Sequence, residues 1–538
     1  MSIEDDLLEP SSITEGDRAL ALFTDRYELT RLFVERLHDD PAPKNILFFY
    51  GEGGNGKSLL LKYLRQKACK RMISLTEWAT VKAKTDAELA DIVTRLKPGT
   101  YHPVPAAFLD FGSKPLGDVQ PQDRFFGLLT LRKELAESAA GNANLKFRRF
   151  DFACVWYLSQ KGRSPEEIKS FFPADQGLGL ATSAIDALTG ASAGGLAKGV
   201  LDLVSPSWSQ RLQVWRTKFG ISKEEIADII AKDLDTELID ALPGYLAADL
   251  NEAMVKDDAP PRVVLFFDTH EAFWGEQRSQ SQETYFFRDK WLRRLLRKLD
   301  YERGIVALIA GRDQPRWAEA KAVKPSTDIP ERYVDSRRVG NLSVTDALAY
   351  LQQPEVGIAD EALCRSLIAY ASVEPGEVHP LHLGLCADVV LEAQKQGTSL
   401  TAEEFYSVPD FAKKSKHLVE RLLKYVSDGV RDAVYALSAC RAFDFALYNQ
   451  LGETLKFAAK RADFELITRF SFVTQLPEPR QQWHRLHGLL RRLNTEDNNE
   501  RVNERILAAH HFLEKHYRES EQQAEAIYHA NQLNPHRV

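Results

Sequence analysis

The stretch Lys44-Asn45-Ile46-Leu47-Phe48-Phe49-Tyr50-Gly51-Glu52-Gly53-Gly54-Asn55-Gly56-Lys57-Ser58-Leu59 decides the fold. Its first part, Ile46 to Tyr50, is a short apolar run of the kind that a strand buried on both faces requires. Its second part has the spacing Gly51-x-x-x-x-Gly56-Lys57-Ser58, that of a loop which cradles phosphate. Gly51, Gly53, Gly54 and Gly56 let the backbone turn its N–H groups inward as an anion nest. A helix starting near Gly56 adds the positive end of its dipole at the same spot. Lys57 then reaches the β- and γ-phosphates, and the Ser58 hydroxyl is placed to ligate Mg²⁺. A glycine-rich turn before a chance lysine would share the composition. The order strand, loop, helix favours a nucleotide.

Two further apolar runs end in charge. Arg262-Val-Val-Leu-Phe-Phe-Asp268-Thr-His-Glu271 reads as a central parallel strand with a carboxylate at its carboxyl end, the edge where open α/β sheets bind ligands. Asp268 is positioned to hold Mg²⁺ opposite Ser58, and Glu271 to orient or deprotonate an attacking water. The alternative is an aspartate that only caps the following helix. Gly304-Ile-Val-Ala-Leu-Ile-Ala-Gly-Arg312-Asp313 is a second such strand, and Arg312 would project toward the same phosphates. The alternative there is a surface ion pair between Arg312 and Asp313. Val104 to Phe111 reads as one more strand, and residues 121–140 as a helix.

The totals bound the rest. At 538 residues several domains are expected, and 44% hydrophobic with 27% charged residues is a folded composition. The formal charge of −7, without a long basic tract, makes nucleic acid an unlikely partner. Cys69, Cys154, Cys364, Cys386 and Cys440 are scattered without a CxxC pair, which favours free thiols and a cytoplasmic setting. The acidic N-terminus is not a signal peptide. No run approaches the ~20 apolar residues of a membrane helix. The nearest, Gly177–Val204, is broken by Asp186, Lys198 and Asp202 and reads as a pair of small-residue helices. The basic residues Arg288, Lys290, Arg293, Arg294, Arg297 and Lys298 alternate with Trp291, Leu292, Leu295, Leu296 and Leu299, the pattern of one solvated helix face.

Past Leu342 the alternation of strands and helices gives way to helices. Pro380 sits where a helix start tolerates proline. Phe470–Leu476 reads as a short strand before a proline-bearing turn and another helix, a winged-helix pattern. From 499 onward, residues such as Phe512, Leu513, Tyr517 and Tyr528 resemble one hairpin of a TPR-like repeat. One hairpin cannot bury its own faces, so further repeats or a partner surface are expected.

Taken together, the chain resembles STAND-class P-loop ATPases of bacterial type, the AAA+-like signalling proteins that include NB-ARC and NACHT switches. The resemblance runs over residues 20–495. Phe23-x-Asp-Arg26-x-x-Leu29 resembles the helix bordering the adenine, and Gly51–Ser58 with Leu59 the Walker A motif. Phe150-Asp151-x-Ala153 resembles a stretch common in bacterial members. Val263–Glu271 is similar to Walker B, and Gly311-Arg312-Asp313 to the sensor turn. Pro380 falls at the proline placed against adenine, with Val378 where that motif has glycine. Leu486-His487-Gly488 resembles the Met-His-Asp motif whose histidine holds the β-phosphate of ADP, with Gly488 in place of the acid. The alternative for His487 is a histidine packed on a helix start.

The resemblance implies an N-terminal extension at 1–20 and an α/β P-loop domain at 21–338, a parallel sheet with helices on both faces and a helical insertion about 158–256. An all-α unit at 339–414, a winged helix at 415–497 and a repeat-like segment at 498–538 would follow. It implies nucleotide contacts from Arg26, Gly51, Gly53, Gly54, Asn55, Gly56, Lys57, Ser58, Leu59, Pro380 and His487. Lys57, Asp268, Glu271 and Arg312 would be catalytic, and Ser58 and Asp268 would hold the metal. The expected activity is slow ATP hydrolysis with Mg²⁺ in a switch that oligomerises when ATP-bound, with an unknown trigger and a separate effector, in antiphage defence or stress signalling. A transcription regulator that binds DNA through the winged helix is the alternative. The mixed charges of 415–495 argue against it.

Overall fold

The computed structural model describes residues 26–41, 43, 45–51, 53–112, 122–138, 145–164, 167–168, 172, 221–274, 282–322, 328–354, 356–405, 411–457, 459–470, 472–475, 483–487, 491, 494 and 500–534. The small-residue pair expected at 177–204, the proline-bearing turn near 477–479 and Gly488 lie outside them.

The strands in chain order are β1 (Ile46–Tyr50), β2 (Lys70–Met72), β3 (Tyr101–Pro103), β4 (Ala106–Asp110), β5 (Val263–Asp268) and β6 (Ile305–Gly311). They continue as β7 (Val334–Arg338), β8 (Leu342–Ser343), β9 (Ser372–Glu374), β10 (Glu377–Val378), β11 (Val473–Gln475) and β12 (His484–Leu486). Five form one sheet in the order β4-β5-β6-β1-β7, every pair parallel. This is the expected α/β class. The inner strands are unbroken apolar runs because both their faces are covered.

Side-chain alternation sends the two halves of each run into different cores. Ile46 and Phe48 join Leu265, Phe267, Ala307 and Ile309 under the helices Arg124–Ser138, Arg148–Gln160, Ile239–Ala253 and Lys290–Lys298. Leu47 and Phe49 join Val264, Phe266, Val306 and Leu308 under Tyr27–His38, Lys57–Tyr63, Leu75–Lys82 and Asp86–Thr94. Helices therefore cover both faces, and the carboxyl ends of β1, β4, β5 and β6 open along one edge.

The basic cluster is solvated only in part: Arg288, Arg297 and Lys298 are exposed, as the helical spacing predicts, while Lys290, Arg293 and Arg294 turn toward acids of the fold. Arg293 is fully buried against Asp289, whose other oxygen accepts from Trp317 Nε1 at 2.8 Å. Lys290 and Arg294 both pair with Asp240 at 2.8 Å, and Arg297 pairs with Asp328 at 2.8 Å. Acids of the fold thus pair with Lys290, Arg293, Arg294 and Arg297.

Beyond β7 the chain is largely helical. The strands β8, β10 and β9 make a small sheet, and β11 pairs with β12. Helices from Val344–Gln352 to Gln523–Leu533 share one hydrophobic core with Val473 and Leu486. Asp360, Ser427 and Asp444 cap three of these helices by accepting from first-turn N–H groups. Among the described residues no helix is long and apolar enough to cross a membrane.

Candidate functional site

The loop after β1 is pinned from two sides. Gly51 N–H donates to the Arg312 carbonyl at 3.1 Å, and the Val339 N–H to the Tyr50 carbonyl at 2.7 Å. A Cβ on Gly51 would lie 2.5 Å from the Val339 carbonyl oxygen, so only glycine fits there. Gly54 has φ +90° and packs under His379 and Leu381. Gly53 faces the Arg312 guanidinium. Gly56 has φ +81°, opens onto free space and precedes the helix Lys57–Tyr63, whose start has no side-chain cap. Those first N–H groups are of the kind that accept an anion. Lys57 folds its ammonium back to donate to the Gly51 carbonyl at 2.6 Å, and Leu59 is half-buried in the first turn.

Asn55 and Arg26 clamp the loop to the chain after β7. Asn55 Nδ2 donates to the Val339 carbonyl at 3.2 Å. Arg26, itself left-handed at φ 67°, donates to the carbonyls of Gly340 at 2.6 Å, Asn341 at 3.1 Å and Asn55 at 3.3 Å.

Opposite the loop, the Ser58 hydroxyl hydrogen-bonds to the Asp268 carboxylate. Strand register places Asp110 of β4 directly beside Asp268 of β5. Both are buried, at 8% and 3% exposure. Burial first, then the neighbouring Asp110 charge, raises the Asp268 pKa to about 7. Two crowded carboxylates beside a hydroxyl are short of positive charge, and this donor set fits a hard divalent cation such as Mg²⁺. Thr269, left-handed at φ 56°, donates its N–H to Asp268 Oδ1 and its hydroxyl to Asp110 Oδ1, at 2.8 and 2.7 Å. Its turn brings Glu271 back to the edge, where Glu271 Oε1 meets Arg312 Nε at 3.1 Å. Arg312 thus pairs with Glu271 rather than with Asp313.

The helical part reaches the same place. His379 occupies the position before the helix Pro380–Lys395, without a capping side-chain bond, and its ring packs on Gly54 of the loop; burial pushes its pKa down to about 4. Pro380 is the first residue of that helix, between His379 and Leu381, which both meet Gly54. His487 follows β12, and burial together with Arg485, Arg312, His379 and Lys57 lowers its pKa to about 3. The expected site residues therefore gather at one sheet edge, with Arg26 turned onto backbone carbonyls.

Three residues of this cluster escape the sequence reading: Asp110, His379 and Arg485. Asp110 carries a usable signal, because Val104–Phe111 repeats the apolar-run-then-aspartate pattern of β5. His379 and Arg485 carry none. Comparison with models of known protein families and with curated proteins gives no match.

Proposed function

We propose that the chain is a slow, Mg²⁺-dependent ATPase acting as an ATP/ADP switch of the STAND class. One observation carries the reading: Lys57, Ser58, Asp268 and Arg312 of the sheet edge meet His379 and His487 of the helical part at one spot. A site assembled from both halves of the chain can report its occupant to both. In this reading the loop amides and Lys57 bind the phosphates, and Ser58 and Asp268 hold the metal. Arg312 senses the γ-phosphate, Glu271 places the water, and His487 reads the β-phosphate of ADP.

The helical part would then comprise an all-α unit, a winged helix containing β11–β12 and the start of a helical repeat. It would close over ADP, open on exchange for ATP and let copies of the chain associate. DNA binding has less support, since Arg485, Arg491 and Arg505 of that region are turned to internal partners.

The test is to denature purified protein and identify the released nucleotide by ion-exchange chromatography. Stoichiometric ADP supports the switch. An empty site with rapid turnover of added ATP overturns it in favour of a constitutive ATPase.

A further inference from the structure

The pair Asp110–Asp268 has a second visitor, and it comes from the far end of the chain. Asp110 Oδ1 is occupied by the Thr269 hydroxyl and by the Gly112 N–H at 2.8 Å. Its Oδ2 faces Arg485 Nη2 at 3.9 Å. Arg485 Nη1 donates to the Gly112 carbonyl at 2.6 Å, which fixes the guanidinium against the turn after β4. A charged donor on a carbonyl is about twice as strong as a neutral one.

The hairpin carrying Arg485 is built into the helical part. Phe443 and His484 exchange two backbone hydrogen bonds of 2.7 Å, and Leu486 lies in the helical core. Arg485 therefore ties that core to the strand end beside Asp268.

We propose that Arg485 is a latch that competes with a divalent cation for the Asp110–Asp268 carboxylates, so that cation binding and docking of the β11–β12 hairpin oppose each other. The guanidinium places a positive charge 3.9 Å from Asp110 when no cation is bound. A cation on Ser58 and Asp268 repels it and weakens its attraction to Asp110. Linkage makes the effect reciprocal: whatever the cation does to the hairpin, the hairpin does to cation affinity. The latch rests on the nucleotide-switch reading for the cation's presence at this edge.

The experiment uses the full chain with ADP, with MgCl₂ or with EDTA. It follows amide hydrogen exchange of β11 and β12 by mass spectrometry and Mg²⁺ affinity by calorimetry. In wild type, Mg²⁺ speeds exchange of the hairpin. Arg485→Gln speeds it about tenfold already in EDTA, with little further change on Mg²⁺, and binds Mg²⁺ several-fold tighter. Arg485→Lys lies between the two. Asp110→Asn, which keeps its shape and loses the charge, loosens the hairpin in the same direction should Arg485→Gln fail to fold. Equal hairpin exchange and equal Mg²⁺ affinity in wild type and Arg485→Gln, with ADP bound to both, overturn the latch alone. Failure of wild type to bind ADP overturns the switch reading and the competition with it.

Discussion

Arg312 holds Glu271 by two contacts, its Nε 3.1 Å from Oε1 and its backbone N–H donating to Oε2 at 3.1 Å. Both oxygens of the carboxylate are thereby engaged by one residue. A γ-phosphate that draws the guanidinium away would release it. Glu271→Gln is expected to lower ATP turnover about 10²–10³-fold while leaving ADP affinity within about threefold. Arg312→Ala should lower the preference for ATP over ADP about tenfold. Phosphate release and displacement of a fluorescent nucleotide measure both; loss of ADP binding in Glu271→Gln would make the pair structural instead.

Two glycines of the same loop should fail differently. An alanine Cβ at position 51 meets the Val339 backbone oxygen at 2.5 Å, and a backbone neighbour cannot rotate away. Gly51→Ala should cost about 2–3 kcal/mol of stability. At Gly56 no atom lies within 4 Å, so alanine there costs only the left-handed strain of about 1 kcal/mol. In the nucleotide-switch reading its methyl group would instead enter the space a phosphate takes. Thermal unfolding should separate the two variants in one direction, and nucleotide affinity in the other.

Asp151 and Arg132 form a buried bidentate pair, with hydrogen bonds of 2.9 and 2.8 Å and Phe147 and Phe172 against the guanidinium. Asp151→Ala leaves a buried cation without its counter-charge and should destabilise by about 3–5 kcal/mol in urea unfolding. Arg132→Met combined with Asp151→Leu should recover most of that loss. If the single variant unfolds like wild type, the pair does not hold this helix layer together.

His38 sets an acid limit. Its Nδ1 donates to the Val34 carbonyl at 2.8 Å and its Nε2 accepts from Met72 N–H at 3.0 Å, an arrangement available only to the neutral ring. Burial holds its pKa near 4, below the ordinary histidine value of about 6.5. The unfolded chain takes up the proton first as pH falls. The contribution is therefore complete above about pH 6.5, is lost as pH falls toward 4, and is worth about 3 kcal/mol in all. His379, His487, His510 and His529 are lowered in the same sense and act over the same range. Denaturant midpoints between pH 7 and 4 should fall steeply, and His38→Gln should reduce that slope by about one proton.

Strands β1, β4, β5 and β6 are legible in the sequence because burial on both faces leaves no place for polar residues. β7 is not. As an edge strand it pairs only with β1 and carries Asp335, Ser336, Arg337 and Arg338, which give no apolar run. The strands β2 and β3 are three residues each, and Lys70, His102 and Pro103 give no apolar run. Within the site, the loop and Asp268 announce themselves through local spacing. Asp110 acquires its meaning only from register with Asp268, and Arg485 from a fold that returns the chain to Gly112. Arg293 misleads in the opposite way: its helical spacing is that of a surface residue, and Asp289 draws it inside.

Strand β12 is only three residues long, and successive side chains of a strand point to opposite sides. His484 and Leu486 are buried, Leu486 in the helical core, while Arg485 between them reaches Gly112. Parity alone thus assigns each residue to its half of the molecule. A one-residue slip of β12 against β11 would turn a leucine toward the carboxylates and an arginine into the core. Removing one residue within β12 should therefore cost the Arg485 bond to Gly112 and the packing of Leu486 together, and so cut the line between the sheet edge at Asp110 and the helices.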